Sequence, residues 1–219
     1  MSDSRGGNTQ VAAGAPPAGA GGNAWQNVLI AIKDSELWTA PWKEVSRPAA
    51  IGWVVFYVAF LIYAATNTTG FLFIDSANLV VHEGGHLLFA WFGETLCLWG
   101  GTILQWAVPL MLAAYFFTER QTTAFAFSLF FFFENWLYTA VYMADARAMD
   151  LPLVTTGDPE FVKHDWNTIF TSLGLLPYDT TIAGVVRFGG WFGMIATAAW
   201  LIWRTVKPAE SLASSPARS

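Results

Sequence analysis

Residues 49–66 read AAIGWVVFYVAFLIYAAT, a predominantly apolar run without a single charge. An α-helix rises about 1.5 Å per residue, so this run covers about 27 Å of a hydrocarbon core that is roughly 30 Å thick. A helix also satisfies its backbone hydrogen bonds internally, which a segment inside that core must do. The run therefore predicts a transmembrane helix and a protein built around a bilayer.

Four more apolar runs follow along the chain, at about 72–97, 98–117, 122–143 and 183–203. Hydrophobic residues make up 54% of the chain and charged residues only 12%, about half the usual charged share of a soluble protein. Several of the twelve tryptophans lie near the ends of these runs, where a membrane–water interface favours them. The sequence thus predicts an all-α, polytopic integral membrane protein with about five transmembrane helices.

The segments outside these runs divide the chain further. Residues 1–24 are rich in Gly, Ala and Pro and predict a disordered tail. Residues 25–47 mix Trp with charged residues, which predicts an interfacial amphipathic segment, although a plain linker fits equally well. Residues 48–203 form the predicted transmembrane domain, with a polar loop at 144–182, and residues 204–219 form a polar C-terminal tail.

Net charge, cysteine content and the positions of basic residues limit the expected partners, metal sites and location of the protein. The net charge is −5 and no basic cluster occurs, so the expected partners are bilayer lipids and a membrane-protein substrate rather than nucleic acid. Cys97 is the single cysteine, which excludes an intramolecular disulfide and a multi-cysteine metal site. The distribution of Lys and Arg favours a cytoplasmic N-terminus, and the compact size with short termini suits a bacterial inner (plasma) membrane.

The sequence HEGGH at residues 82–86 places ionisable groups inside an apolar run. On a helix, His82 and His86 lie on one face about 5 to 6 Å apart, so both imidazoles can bind one cation while Glu83 projects near it. In this zincin arrangement zinc lowers the pKa of a bound water to about 7, and the glutamate takes its proton. Ionisable groups within a span cost at least about 2.5 kcal/mol each, which makes a functional role the default. The alternative is a chance match in which the histidines are structural.

A catalytic zinc needs a third protein ligand. His164 is the only other histidine and is the first candidate, with Asp145 or Asp165 as alternatives. Glu134 and Asn135 lie inside the fourth predicted span, where an interhelical hydrogen-bond network is the better interpretation.

Four other polar or helix-disrupting residues have open interpretations. Asn78 shares a helix face with His82 and is a candidate for orienting that histidine. Asp75 fits either the same polar stripe or a helix N-cap. Gln105 and Pro109 interrupt the third span, where they serve either helix packing or an opening for substrate or water.

The motif resembles that of the site-2 protease family of intramembrane metalloproteases, which carry H-E-x-G-H inside a transmembrane helix. HEGGH matches this pattern, including Gly85 before the second histidine. The resemblance implies that His82 and His86 are zinc ligands and that Glu83 is the catalytic base. Family members also carry a later aspartate ligand in an Asn-Pro-Asp-Gly or Leu-Asp-Gly context, and neither occurs here.

Taken together, these features predict a membrane-embedded zinc metallopeptidase that hydrolyses a membrane-associated polypeptide through a metal-bound water. The alternative is a non-enzymatic polytopic membrane protein, either an accessory subunit or a carrier that passes a metal along. Zinc-dependent hydrolysis of a lipid ester or amide is a third interpretation.

Overall fold

The computed structural model describes residues 40–152 and 164–206. Within these ranges the chain is helical and contains no strand, which confirms the all-α prediction. Three predicted segments lie wholly or mostly outside the described residues: the tail at 1–24, the interfacial segment at 25–47 and the C-terminal tail at 204–219. Residues 153–163 of the predicted loop at 144–182 also lie outside them.

Six α-helices make up the described part of the chain, and two short 3₁₀ helices accompany them. In chain order they are α1 (Arg47–Thr66), α2 (Asp75–Phe89), a 3₁₀ turn (Ala90–Phe92), α3 (Glu94–Thr118), α4 (Thr122–Ala144), α5 (Asp165–Ser172), a second 3₁₀ turn (Leu176–Tyr178) and α6 (Asp179–Val206).

Four of the described helical stretches are long and apolar enough to cross a membrane: Arg47–Thr66, Glu94–Thr118, Thr122–Ala144 and Leu176–Val206. The predicted span at 72–97 is different, because α2 has only 15 residues and is about 22 Å long. Gly93 ends this part of the chain at a backbone φ of 100°, which L side chains rarely adopt. The apolar run is therefore divided between α2 and the start of α3.

The segment predicted as a polar loop at 144–182 is partly helical. It contains α5, and α6 begins at Asp179, ahead of the apolar run predicted at 183. His164 begins α5 by accepting a hydrogen bond from the backbone N–H of Asn167 at its Nδ1, so a side-chain cap starts a helix that apolar periodicity did not indicate.

The largest apolar core lies where α1, α4 and α6 meet. Tyr57, Phe130 and Met194 are buried there, and the rings of Tyr57 and Phe130 lie 4.6 Å apart. Helix α6 approaches α4 closely because Gly193 has no side chain: a Cβ at this position would lie 2.1 Å from the ring of Phe133. Small residues permit such close helix contacts inside membranes, where van der Waals packing drives association.

Helices α2 and α3 form a close antiparallel pair that positions the HEGGH motif. A Cβ on Gly85 would lie 2.2 Å from the backbone oxygen of Gly100, so the two backbones are in direct contact there. Helix α2 also contacts α4, since Asn78 near the start of α2 donates a hydrogen bond to Glu134 in the middle of α4. The motif is consequently held between two long helices at the end of the bundle where α3 begins and α4 ends.

Candidate metal centre

Three potential metal ligands converge at one point of the described structure. His82 Nε2 lies 3.0 Å and His86 Nε2 lies 3.1 Å from the same carboxylate oxygen, Asp165 Oδ2. The two imidazoles come from successive turns of α2, with ring centroids 4.8 Å apart, as the four-residue spacing predicts. Asp165 comes from the first turn of α5, and all three ligand atoms lie within 4.8 Å of one another.

The other nitrogen of each imidazole is directed at a carbonyl oxygen. His82 Nδ1 lies 3.1 Å from Gln105 Oε1 and His86 Nδ1 lies 2.8 Å from the backbone oxygen of Cys97. Carbonyl oxygens only accept hydrogen bonds, so Nδ1 carries the hydrogen and Nε2 of the neutral ring presents a lone pair to Asp165. Two lone pairs facing a carboxylate need either a bound cation or a proton on each ring. A hydrogen bond from the other ring nitrogen to a carbonyl oxygen is the arrangement that metal-binding histidines usually show.

The distances suit a small cation. Zinc binds imidazole nitrogen at about 2.0–2.1 Å and carboxylate oxygen at about 2.0–2.2 Å, so tetrahedral ligands lie about 3.3–3.5 Å apart. The nitrogen–oxygen distances of 3.0 and 3.1 Å are slightly shorter than this ligand spacing, so a bound zinc ion would require these atoms to move slightly apart. Two imidazoles and one carboxylate are an accepted donor set for catalytic zinc.

Helix α3 packs closely against the ring of His82 at Gly101. A Cβ added to Gly101 would lie 2.5 Å from His82 Nε2 and 2.6 Å from its Cε1, a distance at which two heavy atoms collide. Only glycine at this position leaves room for the imidazole in its observed orientation. The side chain of His82 is itself buried, so it has little freedom to turn away.

Asp165 is held in place by its own helix and by α4. Its backbone N–H donates to the hydroxyl of Tyr142, 3.1 Å away, and that hydroxyl lies 3.5 Å from Asp165 Oδ2. Burial raises the pKa of the Asp165 carboxyl, but its close contacts with the His82 and His86 rings outweigh burial and bring the pKa below its usual value. Asp165 is therefore ionised at neutral pH, as a metal ligand must be.

Of the three candidates for the third ligand, Asp165 is the one that faces both motif histidines. His164 Nε2 instead lies 3.3 Å from Asp145 Oδ2, and its Nδ1 accepts the hydrogen bond of the α5 cap. Burial lowers the pKa of His164 and outweighs the opposing effect of Asp145, so the ring is neutral and both nitrogens are engaged. The geometry thus assigns His164 and Asp145 to a supporting pair beside the cluster, contrary to the first expectation for His164.

Glu83 follows His82 in the motif and is half-buried. In the described part of the chain it forms no hydrogen bond or ion pair, yet its negative charge acts on His86 and on Tyr142. The carboxylate is therefore near the cluster without being used by it. That position leaves Glu83 available for proton transfer.

The polar residues at the start of α2 form a separate group. Asn78 Nδ2 donates to Asp75 Oδ1 and to Glu134 Oε2, each at 3.0 Å, and all three side chains are buried. The expectation that Asn78 orients His82 is thus wrong, because Gln105 contacts that ring instead. Asp75 accepts from the backbone N–H of Leu72 and lies in the first turn after the N-cap residue Ile74. The Asn78–Glu134 contact is an interhelical bond of the kind predicted for Glu134.

Several supporting residues were not evident from sequence. Gln105 was visible only as a polar interruption of an apolar run, and its role depends on where α3 lies against α2. The backbone oxygen of Cys97 and the missing side chain of Gly101 carry no sequence signal of metal binding at all. The contact of Tyr142 with Asp165 depends on the position of α5.

Comparisons with known proteins yield no match for this chain among family models, curated proteins or solved structures.

Proposed function

We propose that this protein is a membrane-embedded zinc metallopeptidase whose metal ligands are His82, His86 and Asp165. The observation that carries the proposal is the convergence of two Nε2 atoms on Asp165 Oδ2 while both Nδ1 atoms are directed at carbonyl oxygens. Zinc held there would supply Lewis acidity toward a substrate carbonyl and would activate water at neutral pH.

Glu83 is the proposed general base. It is next to a proposed ligand in sequence, its charge acts on His86, and it is not engaged in a hydrogen bond or ion pair within the described residues. A base needs a free carboxylate within reach of the proton that it abstracts. Asp165 cannot serve in this role, because its carboxylate is oriented toward both imidazoles.

The proposed substrate is a membrane-associated polypeptide. The cluster lies at the end of the helical bundle, where α4 ends and α5 begins. Exposed apolar side chains follow the motif at Leu87, in α2, and at Trp91, in the 3₁₀ turn after α2. A peptide bond in a helix is shielded by its own hydrogen bonds, so an extended segment at the membrane surface is the chemically accessible form. An aspartate as third ligand also agrees with the resemblance to site-2 proteases, although its sequence context differs.

The first experiment measures zinc in the purified protein. Elemental analysis of the full chain in detergent is expected to give close to one zinc per chain, and His82→Ala, His86→Ala or Asp165→Asn is expected to lose it. His164→Asn is the matched control, because asparagine keeps a helix N-cap while removing an imidazole beside the cluster. A folded wild type that holds no zinc after resupply, or a histidine variant that retains full zinc, would refute the metal site.

A second experiment separates metal binding from catalysis. Glu83→Gln is expected to retain zinc and to lose cleavage of unstructured membrane-tethered peptides. Retention of zinc with no cleavage by the wild type would instead favour a non-enzymatic role, such as a metal carrier or an accessory subunit. Release of fatty acid from phospholipid vesicles, abolished by the same variant, would favour lipid ester hydrolysis.

We also propose a bacterial inner-membrane location with a cytoplasmic N-terminus. Support comes from the basic residues at the end of the bundle where α1 begins, which include Lys43, Arg47 and Arg204, since cytoplasmic loops carry an excess of Lys and Arg. Cysteines introduced at Ser46 and at Thr205 in a Cys97→Ser background should both be labelled only from the cytoplasmic side. Labelling of the two sites from opposite sides would contradict this topology.

A further inference from the structure

We propose that the cavity between the start of α1 and the end of α6 binds an anionic phospholipid. This inference is independent of the proposed hydrolase. Thr122, at the first residue of α4, lines the cavity, whereas Tyr142 beside the metal cluster lies 20 positions further along the same helix, about 30 Å away.

The cavity is large and lies at one end of two candidate membrane spans. Its volume is about 1140 Å³, above the roughly 300–1,000 Å³ that is common for sites of small ligands. Helix α1 begins beside it at Arg47 and α6 ends beside it at Val206. A cavity at the terminus of two spans is open to the headgroup region of a bilayer rather than to its centre.

The polar end of this cavity is positively charged. Three cationic side chains, Lys43, Arg47 and Arg204, line it together with one carboxylate, Glu44, which leaves an excess of two positive charges. None of the three cations forms an ion pair with another residue of the described chain. Basic pockets between transmembrane helices are a recognised setting for anionic lipid headgroups.

The wall of the cavity becomes apolar deeper along the helices. Ile51 and Val55 line it from α1, one and two turns beyond Arg47, or about 6 and 12 Å further along the axis. Ile202 faces them from α6. Ile51 and Val55 are 65% and 61% exposed, so their apolar surface is available to a ligand. This order, with cations at the membrane end and hydrocarbon beyond them, complements the phosphate and acyl chains of one phospholipid.

A buried arginine reinforces the polar end. Arg120 is 6% exposed, and its guanidinium lies 5.2 Å from the ring centre of Trp42, which lines the cavity. Its Nε and Nη2 atoms find no hydrogen-bond partner in the described part of the chain. Trp42 is further held by edge contacts with Phe117 and Trp200. The cavity thus has an aromatic wall at Trp42 with an additional positive charge beside that ring. Tryptophan is a residue that favours the membrane interface.

The test is a lipid-binding measurement on the full chain. Delipidated protein in detergent is titrated with phosphatidylglycerol or with phosphatidylcholine of the same acyl chains, and bound lipid is counted by native mass spectrometry. Wild type is expected to prefer phosphatidylglycerol. Removing charge with Lys43→Gln, Arg47→Gln and Arg204→Gln is expected to weaken its binding about fivefold per substitution, with little change for phosphatidylcholine.

Two matched variants and one competitor make the result decisive. Arg187→Gln removes an exposed arginine of α6 that does not line the cavity and is expected to leave binding unchanged. Val55→Trp fills the apolar wall and is expected to weaken both lipids equally. The proposal would be overturned if Arg187→Gln lost as much phosphatidylglycerol binding as the cavity variants, or if the wild type showed no preference for phosphatidylglycerol. Displacement of the lipid by millimolar glycerol 1-phosphate would also overturn it, because the site would then take a free anion.

Discussion

His82 Nε2 and Asp165 Oδ2 lie 3.0 Å apart although 83 positions separate the two residues in sequence. The contact joins α2 to α5, a short helix whose N-cap residue is His164. Because His86 Nε2 shares the same oxygen, the approach of α5 completes a cluster of three potential metal ligands that α2 alone cannot form.

Replacing Asp165 by Asn should weaken zinc binding more strongly than any supporting substitution. The amide keeps the size of the side chain but removes its negative charge, and with it one of the three proposed ligands. A loss greater than the roughly 10- to 100-fold that is typical of second-sphere changes is expected, measured by competition with a chromogenic chelator. Asp145→Asn, which changes the carboxylate beside His164, should have the smaller effect. Equal losses would argue against Asp165 as a ligand.

Gly101→Ala should displace the ring of His82. The new Cβ would lie 2.5 Å from Nε2, and overpacking of this kind costs about 1–3 kcal/mol of stability. Lower thermal stability in detergent together with weaker zinc binding is therefore expected. Gly184→Ala on α6 is the control, since a Cβ there meets nothing within 4 Å. Full zinc affinity in Gly101→Ala would show that the close approach does not orient the ligand.

Gln105→Met should weaken zinc binding about 10- to 100-fold. The substitution keeps the length of the buried side chain but removes the oxygen that His82 Nδ1 contacts at 3.1 Å. The His82 ring then loses the partner that favours a hydrogen on Nδ1 and a lone pair on Nε2. Chelator competition measures the effect. Tyr138→Phe provides the comparison, because it removes an α4 hydroxyl that forms no hydrogen bond to either imidazole within the described residues. An unchanged affinity would mean that packing by Gly101 alone orients the ring.

The stability of the metal-free protein should depend on His164 in mildly acidic solution. Burial lowers the pKa of His164 in the folded state, whereas the unfolded value is about 6.5. Its contribution is therefore fully present above about pH 6.5 and is lost as the pH falls through the folded pKa. Asp165, whose pKa is also lowered, contributes in the same direction only below about pH 4.

Thermal unfolding of wild type and His164→Asn between pH 8 and pH 5 measures this effect. The advantage of the wild type should shrink as the pH falls, because the neutral imidazole accepts the cap hydrogen bond of α5 and the protonated ring does not. A constant difference between the two proteins across this range would contradict a neutral His164.

The apolar runs and the HEGGH spacing were sufficient to predict a helical membrane protein and two neighbouring imidazoles. Both depend on local periodicity, since hydrophobic length predicts a span and a four-residue spacing places two side chains on one helix face. The number of spans was not predictable in this way. Hydropathy does not distinguish a crossing helix from a shorter one such as α2, which ends at Phe89. The backbone conformation of Gly93 then divides one apolar run between two helices.

The sequence by itself determined the helical membrane class of this protein and the positions of His82, Glu83 and His86 on one helix. Only the tertiary structure decided that Asp165 rather than His164 faces the two imidazoles. The two candidates are adjacent in sequence, and the difference between them arises from the α5 cap, which engages the His164 ring and turns the next side chain toward α2. Such a choice depends on the relative placement of three helices, and no spacing within one segment encodes it.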